Sequence, residues 1–234
     1  MDSNRTFAAP RRNVGDPDAA GEHALRGIEA ARAADDPFAL AICLTARGDA
    51  EESAGGRETA RGLWVEASDT LRTMDARSRW AYRALRLAFL DVGEGDFDRA
   101  DRRLAEVERI AAEVISYDLA HAGANLRAVV LAARSRSAEA TTALQEVVDS
   151  ATVPRHRRAL AFLALTVCGS GGPVDEGRLA GARRETAGIT EPLAREAVGR
   201  LLAEVAEWRR TAPGRRYPLH ERLTRSPSVL AALC

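Results

Sequence analysis

The chain repeats itself every 40 residues. Ala60, Ala100, Ala140 and Ala180 stand at that spacing, and in the first three units a bulky residue follows four positions on, at Trp64, Leu104 and Leu144. Ala67, Val107 and Val147 follow at the seventh position. Ahead of each unit runs a second pair of columns: Leu44, Ala84, Ala124 and Ala164, then Gly48, Ala88, Ala128 and Cys168. An earlier half-unit, Ala24, Ile28 and Ala31, shows the same internal spacing at a slightly shorter separation. Residues four and seven apart share one face of an α-helix, so each unit reads as two helices. Small residues let the two backbones approach, and the larger residue one turn on fills the space. One such pair cannot bury its apolar face alone, so neighbours must stack.

Composition agrees with helices throughout. Ala, Leu, Arg and Glu dominate, and runs of β-branched residues of strand length are nearly absent. Punctuation marks the helix ends: Asp36 before Pro37, Gly55-Gly56, Gly95-Asp96, Ser116, Ser137, Pro154, the Gly169–Pro173 breaker, and Glu191 before Pro192. Short connections favour antiparallel neighbours. The expected fold is all-α, an α-solenoid of antiparallel helix pairs. Residues 1–17 are expected to form a flexible arm, 18–211 the helical repeat domain, and 212–234 a tail with a short helix.

Gly95-Asp96-Phe97-Asp98-Arg99-Ala100, followed by Leu104 and Val107, resembles the core and second helix of a tetratricopeptide repeat. The preceding Leu87-Ala88 is similar to that family's Leu-Gly pair, while Arg47 and Arg127 stand where the family has Leu. The unit is longer than the usual tetratricopeptide repeat. It resembles the helical repeats of large bacterial transcriptional activators of the maltose-regulator type. The resemblance implies a superhelix whose first helix in each pair lines a concave groove.

Chemistry-bearing motifs are scarce. His23, His121, His156 and His220 lie in separate helical stretches with no His or Cys one turn away, so no metal site is expected. No phosphate loop, nucleophile elbow or cofactor motif is present, and no cofactor is expected. Thirty-four acidic residues balance 34 basic ones, all of them Arg, which argues against direct nucleic-acid binding. Arg155-His156-Arg157-Arg158 reads as a solvated first turn of a helix. Cys43, Cys168 and Cys234 make no disulfide framework, and Cys43 and Cys168 read as small core residues. With no secretory signal and no apolar run of membrane-spanning length, a cytoplasmic location away from membranes is expected.

Projecting the register onto the implied groove places Tyr82, Leu85, Arg86, Phe89, His121, Asn125, Val129 and Phe162 there. Apolar anchors with a few polar guides suit a protein or peptide helix laid into a groove. The expectation is a non-catalytic, regulatory binding module, more binding protein than enzyme. The alternatives are a helical enzyme enclosing a small apolar substrate and a self-association scaffold, which would make the chain a homo-oligomer.

Overall fold

The computed structural model describes residues 17–168 and 176–212. The expected arm before Pro17, the Gly169–Pro173 breaker and the tail beyond Ala212 lie outside the described residues. Among the described residues the chain is all-α, with helices α1 (Pro17–Ala33), α2 (Pro37–Ser53), α3 (Arg57–Thr73), α4 (Arg77–Glu94), α5 (Phe97–Glu113), α6 (Tyr117–Ala133), α7 (Ser137–Asp149), α8 (Arg155–Cys168), α9 (Glu176–Ala187) and α10 (Pro192–Thr211). The chain divides into two compact units, Met1–Thr70 and Leu71–Cys234.

The helix starts expose a finer period than the side-chain columns. From α1 to α7 every helix begins 20 residues after the last, at Pro17, Pro37, Arg57, Arg77, Phe97, Tyr117 and Ser137. Between them the backbone turns left-handed at Asp35, Gly55, Asp75, Gly95, Ile115 and Ser135, again 20 apart. At each turn the next residue's amide donates to a carbonyl five residues back. Examples are Asp36 to Ala31 at 3.0 Å, Asp96 to Asp91 at 2.9 Å and Arg136 to Leu131 at 2.9 Å. A left-handed residue closing such a bond ends a helix while satisfying its last carbonyls.

The following helix starts at once. The side chains of Asp36, Asp96 and Ser116 accept from the amides of Ala39, Arg99 and Leu119. Ser137 is not a cap as expected; it is the first helical residue, and Arg136 precedes it at the cap position without a side-chain capping bond.

The 40-residue step ends at α8, which begins at Arg155, two residues earlier than the step from Tyr117 would place it. Accordingly Ala60, Ala100 and Ala140 are wholly buried, as are Trp64, Leu104 and Leu144, whereas Ala164 and Ala180 are only partly so. Ala124 is also partly exposed although it stays in register. Ala24, Ile28 and Ala31 of α1 are all buried, at the spacing expected of the earlier half-unit, although α1 and α3 begin a full 40 residues apart. A Cβ at Gly27 would come within 2.6 Å of the Cys43 sulfur, which is why that position is small.

In the first unit, Ile28, Leu44 and Ala67 form a core with Leu40, Cys43 and Leu63 against it. Cys43 is only partly buried, and the Cys168 side chain lies outside the described residues. In the second unit each helix packs on the next in sequence, and α4, α6, α8 and α10 also pack on one another in that order. Within this unit the arrangement is two-layered and solenoid-like, with α4, α6, α8 and α10 forming one layer and α5, α7 and α9 the other. Asp91, wholly buried near the end of α4, holds α5 through Arg103 at 2.8 Å and Arg99 at 3.6 Å. Arg127, standing where the repeat pattern has Leu, takes Glu108 of α5 in a two-pronged contact at 2.5 and 3.1 Å. It joins the two layers by charge.

Small-beside-large packing is very close at Gly48, where an added Cβ would lie 2.4 Å from Nε1 of the buried Trp64. Gly48→Ala gains up to about 1 kcal/mol of helix propensity, but the indole has no room to withdraw. Overpacking should win and the variant should lose roughly 1–3 kcal/mol. Chemical denaturation would show this as a lower midpoint; an unchanged or higher midpoint would contradict the packing.

Candidate ligand-binding site

Three successive helices of the even-numbered layer bring a polar cluster together. Asp118, His121 and Asn125 recur at helical spacing on α6, so one face carries all three. Tyr82 reaches them from the second turn of α4, and its hydroxyl donates to Asp118 Oδ2 at 2.8 Å. Arg157, in the first turn of α8, donates from Nε to Asp118 Oδ1 at 3.3 Å. Asn125 donates from Nδ2 to the carbonyl of Arg157 at 3.2 Å. A single carboxylate thus ties α4 and α8 to α6.

Arg157 corrects the sequence-based expectation of a solvated first turn. It is only 2% exposed, while Arg155 is the solvent-facing member of that run. A cation at a helix start opposes the helix dipole, and burial adds a desolvation cost. Asp118 offsets both from the first turn of α6, where a carboxylate is itself favoured. Arg158 turns the other way, toward Glu185 of α9 at 3.6 Å and the carbonyl of Ser150 at 2.9 Å.

The remaining expected groove residues divide. His121 is half-buried beside the cluster. Leu85, Arg86, Phe89 and Val129 are buried, so the expectation of an open apolar face does not hold at these positions. The reason is that α4 is buried without interruption from Ala84 to Val92 and has no solvated side there. Phe162 lies under α9, where a Cβ on Gly181 would come within 2.8 Å of its ring. It packs between the layers and stands apart from the cluster. Tyr82, His121 and Asn125 are therefore the expected site residues that the structure brings together.

Asp118 completed the site without being singled out from sequence, and Arg157 was read there as part of a solvated first turn. The available signals were a carboxylate one turn before His121, and a cation at a helix start that needs an acidic partner.

Burial decides most of the electrostatics. Tyr82 is pushed up to about 12 by burial and by the Asp118 carboxylate. Burial would raise Asp118, but Arg157 and the bonds from Arg157 and Tyr82 outweigh it and leave the carboxyl below its usual range. Burial lowers His121, and Arg157 and Arg158 lower it further against the pull of Asp118. His156 is lowered by burial first and by Arg157 second. Two atoms inside the cluster lack a hydrogen-bond partner, Asn125 Oδ1 and His121 Nδ1. Buried polar atoms are seldom left so.

Among the described residues no group of three or more His, Cys, Asp or Glu side chains could hold a metal ion. No described helix is long and apolar enough to cross a membrane. No known protein family, curated protein or solved structure matches the chain.

The lowered histidines give the fold an acid limit. Above the ordinary histidine value both are neutral, folded or unfolded, and stability is at its plateau. As pH falls through about 6.5 the unfolded chain takes up protons first, so stability drops until the folded values are passed. The thermal midpoint should therefore fall between pH 7.5 and pH 5.5, a window above the carboxylates. The double variant His121→Gln, His156→Gln should flatten that fall. A midpoint that holds or rises on acidification would contradict the burial of these rings.

Proposed function

We propose that the chain is a non-catalytic helical-repeat module of the tetratricopeptide-like kind. In this reading it binds a protein or peptide partner at the Tyr82–Asp118–His121–Asn125–Arg157 cluster and serves a regulatory role. The observation that carries it is the pair of unpartnered buried atoms, Asn125 Oδ1 and His121 Nδ1, in a cluster assembled from the alternate helices α4, α6 and α8. A polar cluster in an otherwise apolar layer is costly unless it is used.

Holding suits these groups better than proton transfer. Asp118 stays ionised and Tyr82 stays protonated across the neutral range. A peptide carries both amide donors and carbonyl acceptors, so it can pair with Asn125 Oδ1 and with His121 Nδ1 in either ring tautomer. The Gly95–Ala100 motif and the sequential packing support the family likeness, and the maltose-regulator resemblance supports the regulatory setting.

Selection of a random displayed peptide library on the immobilised full chain tests this reading. Enriched peptides should share a motif and bind with micromolar affinity. Asn125→Ala and Tyr82→Phe should each weaken them about tenfold, the scale of one lost polar contact, in protein whose helical circular dichroism is intact. No enrichment, or binding indifferent to both substitutions, would overturn the assignment.

A further inference from the structure

Asn125 fixes the chemistry of what the cluster can accept. Its Nδ2 donates to the Arg157 carbonyl at 3.2 Å, and a carbonyl only accepts, so the amide cannot be turned over. The atom left without a partner is therefore the acceptor Oδ1, on a side chain only 2% exposed. His121, one turn earlier on the same face of α6, leaves Nδ1 without a partner, a donor or an acceptor according to tautomer. The nearby donors are turned elsewhere: the Tyr82 hydroxyl to Asp118 Oδ2 at 2.8 Å and Arg157 Nε to Asp118 Oδ1 at 3.3 Å. Both unpartnered atoms are buried, while Tyr82, Asp118 and His121 keep part of their surface in solvent. A group that meets them is the narrow end of a side chain and not a run of main chain.

Resting on the reading of this cluster as the binding site, we infer that it selects a side-chain carboxamide, the end of a Gln or Asn of the partner. The carboxamide NH2 donates to Asn125 Oδ1, and its second N–H or its C=O meets His121 Nδ1. Competing groups fail on the same count of donors and acceptors. A carboxylate brings no donor for Oδ1. An ammonium or guanidinium brings donors and a cation together, and Asp118 is already paired with the buried Arg157. A second buried cation there would lack a counter-ion. Burial first, then Arg157 and Arg158, already disfavour a charge on His121 against the pull of Asp118. A hydroxyl has one proton, so it completes the pair only when His121 carries its own proton on Nδ1. A trans peptide unit turns its N–H and C=O to opposite sides, away from two atoms on one helix face. A primary amide presents N–H and C=O along one edge and carries a second N–H, so it suits both atoms in either tautomer.

Titrating the isotopically labelled full chain with propionamide, propionate, propylamine and propanol tests the inference without a selected peptide. Propionamide should move the His121 ring-nitrogen and Asn125 side-chain amide resonances with millimolar affinity, the range open to so small a ligand. The other three, at equal concentration, should leave both in place. His121→Phe should remove the response at Asn125, and Asn125→Ala the response at His121, each in protein with intact helical circular dichroism. No response to propionamide, or an equal response to any of the other three, would overturn the inference. Peptides recovered on the immobilised chain should share a Gln or Asn, and its replacement by Leu should weaken them about tenfold. Peptides that need Asn125 yet tolerate that replacement would leave the peptide reading standing and overturn the carboxamide. A carboxamide response with no peptide recovered would do the reverse.

Discussion

A helix that must stop and reverse within three residues is the constraint on which this structure depends. The left-handed residue and the six-to-one hydrogen bond behind it supply that reversal six times at a 20-residue interval. With the turn fixed, helix length is fixed near 17 residues, and facing helices meet with their side chains in constant register. Ala60, Ala100 and Ala140 are buried for that reason, and Trp64, Leu104 and Leu144 fill equivalent spaces beyond them. Where the turn changes, after the shorter α7, the register changes with it and the small-residue columns stop predicting burial.

Charge works inside the same frame. Asp91 and Asp118 each sit in a helix terminal turn and each bind guanidinium groups, Asp91 across a hairpin and Asp118 across alternate helices. Both Arg103 and Arg157 use the Nε edge of the guanidinium, a directional donor that a lysine ammonium would not reproduce. An Arg-only basic set therefore has structural use here whatever its origin. The Asp118 cluster differs from the Asp91 clasp in leaving Asn125 Oδ1 and His121 Nδ1 without a hydrogen bond beside the ion pair.

The columns of Ala, Leu and Val were legible in the sequence because helical spacing and a fixed period both constrain them. The 20-residue half-period was harder to read. Its marker is a backbone conformation that Asp, Gly, Ser and even Ile occupy in turn, so no single letter repeats. Tyr82, His121 and Asn125 were recoverable because the register puts them near one face. Arg157 was not, since a basic run at a helix start looks solvated until the neighbouring helix is known to present Asp118. Leu85, Phe89 and Val129 look alike in sequence whether they line a groove or fill a core. Only the packing around α4 separates those cases.

Backbone chemical shifts of the isotopically labelled full chain measure the turn conformations most directly. The account predicts left-handed shifts at Asp35, Gly55, Asp75, Gly95, Ile115 and Ser135, each between two runs of helical shifts, with the β-branched Ile115 included. Helical shifts running unbroken through several of these positions, or extended shifts at Ile115, would contradict the turn-defined repeat and the packing built on it.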